Sequence, residues 1–246
     1  MITQYHRPLT LDEAIALIAR PDAVIIAGGT SVNADPGRKP GTAVDLQALD
    51  LAGIDTDGES IRIGSTTRLQ DLVDSPLVPA TLRDLVRREA PNTIRNAATI
   101  GGTIGTADPE SELLAGLLAF EATLTLARAG STTEHALDEI LEDPALLNGA
   151  IMTSVSIPSN GVAAADRTGR TPMDRPIVMV VAHRSPDGTV RMAMTGVSTR
   201  PIIVEPDQIA TLDPPSDFRG SPDYRKSLAG VLSGRVLATI TGGEPT

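Results

Sequence analysis

"TIGGTIGTADPESELL", residues Thr99–Leu114, sets Gly101, Gly102 and Gly105 directly ahead of an acidic, leucine-rich segment. Glycine carries no Cβ, so a bend built on it lets backbone N–H groups close on a ligand. The following residues, Glu110–Ala119, have helical spacing. Glu110 and Glu112 in the first turn suit the positive end of the helix dipole whether or not a ligand lies there. A second glycine pair stands earlier, in "AVIIAGGTS", where a buried strand is expected to enter a turn at Gly28-Gly29. Two such bends can face one ligand, because backbone N–H nests and helix N-termini hold phosphate without positive side chains. Neither bend has the G-x-G-x-x-G spacing of the Rossmann fold, and no G-x-x-x-x-G-K-[ST] loop occurs.

Composition narrows what that ligand does. With no cysteine the chain has no disulfide, no thiol nucleophile and no thiolate-held iron–sulfur cluster, and its three histidines are too scattered for a zinc site. Redox or group-transfer chemistry must therefore come from a bound cofactor. A net charge of −10 repels nucleic acid, and two Tyr plus two Phe supply no stacking platform. No apolar run reaches the roughly 18 residues of a membrane span. The N-terminus carries Pro8 and a Thr10-x-x-Glu13 capping box instead of a signal sequence, so a cytoplasmic protein is expected.

At 246 residues the chain is long enough for a large domain and a smaller one. Helices are expected at Leu11–Ala19, Thr67–Val73 and Ala80–Ala90, and strands at Thr42–Leu49, Ser60–Ser65 and Ala122–Arg128. An irregular segment then leads to a strand ending at Pro158. Residues Asn160–Pro172 have loop composition and mark a domain boundary. Beyond it, "PIVMVVAHR" and "TVRMAMTGV" flank a Ser185–Gly188 turn as a hairpin. A last helix, Asp223–Ile240, is expected to pack on that hairpin through Leu228, Val231, Leu232, Arg235, Val236 and Ile240. Arg95, ahead of the glycine stretch, is a candidate for phosphate or partner contact, whereas His6, His183 and Asp174 read as structural.

"AGGTS" (Ala27–Ser31) and "IRNAATIGGTIGTADPESELL" (Ile94–Leu114) together resemble the two flavin signatures of the FAD subunit of molybdenum hydroxylases. That family includes the medium subunit of aerobic carbon monoxide dehydrogenase and the flavin portion of xanthine dehydrogenase. "MDRPIVMVVA" and "FRGSPDYRKSLAGVLSGRVLATI" are similar to the start and end of its C-terminal domain. The resemblance implies an α+β protein: a vanillyl-alcohol-oxidase-type FAD-binding domain of two α/β subdomains at residues 1–160, then a small α+β domain at 172–246. It implies that Ala27, Gly28, Gly29, Thr30 and Ser31 wrap the FAD pyrophosphate, with Thr99, Ile100, Gly101, Gly102 and Thr103 as the facing loop. Glu112 falls where the family has an Asp that hydrogen-bonds the sugar-like portion of the flavin, and Ile151 and Met152 fall beside the isoalloxazine.

The chain departs from that pattern in places. Thr103 replaces an Asn, Glu112 is one methylene longer than Asp, and "NADPGRKPG" is a shortened link. "GVAAADRTGRT" lacks the family's aromatic residue and Lys. No metal ligand or catalytic side chain is implied. The function implied is electron transfer by FAD from iron–sulfur clusters to an external acceptor, with a molybdenum-cofactor large subunit and an iron–sulfur small subunit as partners. The alternatives are a stand-alone FAD-dependent oxidoreductase acting on a small molecule and a non-catalytic scaffold that has lost flavin.

Overall fold

A computed structural model describes residues 2–34, 41–171 and 174–242 of the chain. Its first unit is a parallel sheet, built from β1 (Ile2–His6), α1 (Leu11–Ile18), β2 (Ala23–Ile26), α2 (Thr30–Ala34) and β3 (Gly41–Asp45), with strand order β1-β3-β2. The Thr10 hydroxyl caps α1 by accepting from the Glu13 N–H, and the Glu13 carboxylate reaches back one residue further than expected, to the Leu9 N–H. β3 occupies the centre and is buried throughout, which leaves β2 a half-buried edge instead of the buried strand expected. The strand expected over Thr42–Leu49 stops at Asp45. That carboxylate accepts from the Gln47 N–H and starts a 3-10 turn at Leu46–Ala48. Most of the shortened "NADPGRKPG" link lies outside the described residues.

The second unit runs through β4 (Ile54–Asp57), β5 (Ser60–Gly64), α3 (Leu69–Asp74), α4 (Ala80–Glu89), α5 (Asn92–Arg95), α6 (Ile100–Thr106), α7 (Glu112–Ala119), β6 (Thr123–Arg128), β7 (Ser131–Ala136), α8 (Leu137–Glu142) and β8 (Ile151–Pro158). Its antiparallel sheet has the order β4-β5-β8-β6-β7. The segment expected to be irregular holds β7, α8 and a 3-10 turn at Pro144–Leu147. β7, "STTEHA", is a polar, mostly exposed edge strand, so it lacks the apolar alternation by which a strand is recognised.

A third unit comprises β9 (Val162–Thr168), β10 (Val178–Arg184), β11 (Val190–Thr195), β12 (Ile202–Ile203) and α9 (Pro222–Thr241), with an antiparallel sheet of order β12-β11-β10-β9. β9 corrects the loop expected at Asn160–Pro172. It pairs with β10 from Val162↔Arg184 to Thr168↔Val178. Alanines are weak strand formers, and this ladder overrides their preference. The hairpin forms as expected, closed by hydrogen bonds from the Ser185 N–H to Thr189 and from the Gly188 N–H to Ser185.

α7, apolar all round after its first residue, is buried along its whole length and packs on α4, β10 and β11. A single core therefore runs from Leu85 and Leu114 through Leu124 and Val155 to Met179 and Val181. α9 covers the other face of the third sheet with Ala229, Leu232, Val236 and Ile240. Val231, expected on that face, is 51% exposed, because the buried stripe follows the 225–229–232–236–240 positions. Arg225 is 1% exposed, and both terminal nitrogens of its guanidinium are engaged. It donates to the Ile177 and Gly196 carbonyls and pairs with Asp217 at 2.7 Å, which compensates the burial of its charge.

Candidate cofactor groove

The glycine stretch is a helix, not a bend. Thr99 is the N-cap of α6, its hydroxyl accepting from the Gly102 N–H at 3.1 Å. The Ile100 and Gly101 N–H groups, which no helix carbonyl can reach, donate to the carbonyls of Thr67 and Ser65 at 3.0 and 2.9 Å. Three glycines in so short a helix cost about 1 kcal/mol each relative to alanine. Close packing explains part of that cost: a Cβ on Gly101 would stand 2.8 Å from the Ser65 carbonyl oxygen. A Cβ on Gly105 would meet nothing within 4 Å.

The first glycine turn packs against the chain leading into α6. A Cβ on Gly28 would lie 1.9 Å from the Ala97 carbonyl oxygen, and Gly29 takes φ 71°, a left-handed conformation that suits glycine. Between these two segments runs a groove of about 750 Å³. Ala27, Gly28, Gly29, Thr30 and Ser31 line one side, and Thr99, Gly101, Gly102 and Thr103 the other. Gly105 and Thr106 extend the second wall, while Ser65, Thr66, Leu147, Asn148, Gly149 and Met152 complete it.

Three of the residues expected here lie elsewhere. Ile100 is fully buried in the core with Ile104. Neighbours on a strand face opposite ways, so only one of Ile151 and Met152 can reach the groove. Met152 does, and Ile151 packs with Ala14, Ile15 and Val44. Glu112 is not in the groove lining: its 2%-exposed carboxylate pairs with Arg88 at 3.1 Å and Arg167 at 3.2 Å. Burial pushes its carboxyl pKa up, against the pull of Arg167 and Arg88. Glu110 sits ahead of the Ser111 N-cap instead of in the helix, and pairs with Arg219. Arg95 donates to the Arg87 and Ala90 carbonyls, closing the C-terminal end of α4, and to Gln70.

Ser65, Thr66, Thr106 and the Leu147–Gly149 turn are lining residues that sequence reasoning did not single out. The run Ser65-Thr66-Thr67 between a strand and a helix was the available signal.

None of the described lining residues is charged. Thr103 and Thr106 donate their hydroxyl hydrogens to the Thr99 and Gly102 carbonyls and keep lone pairs as acceptors. The Ser65 hydroxyl is buried in the groove wall with no hydrogen-bond partner, which leaves a donor for a bound group. An anion here meets hydroxyls and the main-chain N–H groups of the Gly28–Ser31 turn, with no ion pair from the described lining, and the glycine walls leave room for a dinucleotide. Fold and groove thus define a protein that holds an anionic nucleotide cofactor chiefly by its backbone.

Comparison with known proteins specifies the cofactor. Residues 1–160 match the family model of the FAD binding domain in molybdopterin dehydrogenase. The chain is 30% identical to the uncharacterized protein YgfM of Escherichia coli K12, across 97% of this chain and 96% of that one. It is 26% identical to the carbon monoxide dehydrogenase medium chain of Hydrogenophaga pseudoflava, across 95% of each. Among solved structures, carbon monoxide dehydrogenase from Hydrogenophaga pseudoflava superposes with a TM-score of 0.88 at 25% identity, covering 97% of both chains. Quinoline 2-oxidoreductase from Pseudomonas putida 86 superposes with a TM-score of 0.84 at 26% identity, covering 97% of this chain and 96% of that one. The chain belongs to the FAD-binding family of the molybdopterin dehydrogenases, and FAD is its cofactor.

Proposed function

We propose that the chain is the FAD-carrying electron-transfer subunit of a molybdenum hydroxylase complex, passing electrons from an iron–sulfur subunit to an external acceptor. The observation that carries this reading is the glycine-walled groove between the Ala27–Ser31 turn and α6, whose described lining is uncharged. Backbone N–H groups of the Gly28–Ser31 turn hold the diphosphate in this reading, the glycines of α6 let it approach the facing wall, and Met152 borders the flavin. The flavin supplies the capacity to accept electrons in pairs and release them singly or in pairs. The protein supplies position, exclusion of water and hydrogen bonds, and no general acid or base is needed.

A chain without cysteine cannot hold the iron–sulfur relay itself, so that relay must come from a partner. The resemblance to a medium chain of carbon monoxide dehydrogenase supports two such partners, an iron–sulfur small subunit and a molybdenum-cofactor large subunit. It also supports a division in which residues 1–160 bind FAD and the C-terminal unit, β9 included, lies beside it. Among the described residues no helix is long and apolar enough to cross a membrane. We place the complex in the cytoplasm.

The test is the visible absorption spectrum of the purified chain, recorded before and after addition of FAD and desalting. Retained flavin bands are expected. Their absence, together with failure to co-purify with iron–sulfur and molybdenum subunits encoded beside it, would overturn the reading.

A further inference from the structure

The groove's second wall depends on a helix that has little stability of its own. α6 is seven residues long with three glycines, well below the length at which isolated helices persist. Its N-terminal end is tied to the body by the Ile100 and Gly101 hydrogen bonds to Thr67 and Ser65. Its C-terminal end, which presents Gly105 and Thr106 to the groove, runs through left-handed Ala107 (φ 49°) into the link that joins it to α7.

That link is gripped residue by residue, mostly from the C-terminal unit. Arg175, just ahead of β10, pairs with Asp108 at 2.9 Å. The Thr195 hydroxyl at the end of β11 donates to the Pro109 carbonyl at 2.7 Å. Arg219, on the turn before α9, pairs with Glu110, and Arg167 on β9 pairs with Glu112. From the other side, Glu89 at the end of α4 accepts from the Ser111 hydroxyl and the Leu113 N–H, and is itself paired with Arg175. Cations from the third unit thus meet carboxylates on the link, and none of these arginines lines the groove.

We infer that Arg175, Arg219 and Arg167 are positioning residues for the cofactor: through the Asp108–Glu112 carboxylates they fix the last turn of α6 along the groove. The C-terminal unit thereby sets how tightly FAD is held. The inference rests on the groove being the FAD site. Coupling is reciprocal, so FAD in the groove must also tighten the link.

The experiment uses the full chain, with FAD affinity read from flavin fluorescence and backbone order from amide hydrogen exchange. Arg175→Gln is expected to weaken FAD binding roughly 3- to 30-fold and to speed exchange across α6, leaving β6 and β8 unchanged. Arg175→Lys keeps the charge and should recover part of the loss. Asp108→Asn removes the charge from the other side while keeping an acceptor for the Glu110 N–H, and it decides the matter if the arginine variant does not fold.

FAD added to the wild type should slow exchange at the link. Unchanged affinity and unchanged α6 exchange in the variants would overturn the inference. A wild type that binds no FAD, alone or co-purified with its partner subunits, would overturn the cofactor assignment instead, and the exchange comparison between variants would still decide whether the clamp holds α6.

Discussion

Gly28 and Gly105 show that glycines of one groove serve different ends. A methyl at Gly28 would drive into the Ala97 carbonyl, whereas one at Gly105 would enter open space. Gly28→Ala should therefore lower both stability and FAD affinity. Gly105→Ala should raise the thermal stability of the FAD-free protein by about 0.5–1 kcal/mol while weakening FAD binding, because the new methyl narrows the groove. Melting curves with and without FAD separate the two cases; equal responses from the two variants would refute the distinction.

Glu112 makes a prediction about pH. Its carboxyl pKa is raised on folding, so the folded state holds that proton more tightly than the unfolded state. Its contribution to stability is greatest below the ordinary carboxylate range and falls as pH rises through the raised value. Denaturant midpoints across that window should decline less steeply in Glu112→Gln than in the wild type. The sequence placed Glu112 at the flavin because the motif stops at residue types. In the structure its carboxylate pairs with Arg88 and Arg167, brought together by folding from distant positions.

Elements were legible where apolar spacing was strong. α1, α4, β5, β6 and the β10–β11 hairpin lie within two residues of expectation at each end, and β8 ends at the expected Pro158. α6 and β9 were read as bend and loop, because glycine and alanine give little local preference and tertiary contacts decide. In the groove, the two glycine segments were legible, while Ile100 and Ile151 required knowing which way each side chain turns. The face of α9 gives a direct test: Leu232→Ala should cost about 2–5 kcal/mol of unfolding free energy, and Val231→Ala less than about 0.5 kcal/mol. Comparable losses at the two positions, measured by denaturant titration, would place the buried stripe wrongly.

For the molecule as a whole, α7 ties the second and third units into one core, while the first unit packs in a cluster of its own with Ala127 and Ile151. Leu114→Ala should therefore lower by about 2–5 kcal/mol an unfolding transition that the second and third units share, instead of melting one of them alone. Separate transitions for those two units in a calorimetric scan would show that the core is divided. The groove's lining has a further consequence, because its described residues carry no charge while the whole chain carries −10. A site that draws an anion with lysines or arginines weakens as salt screens them. Among the described residues no cation lines the groove, so the field they leave on an anionic ligand is the repulsion of the net-negative protein, and salt screens that instead. Added salt should speed the capture of FAD, the reverse of what an arginine-lined site would do.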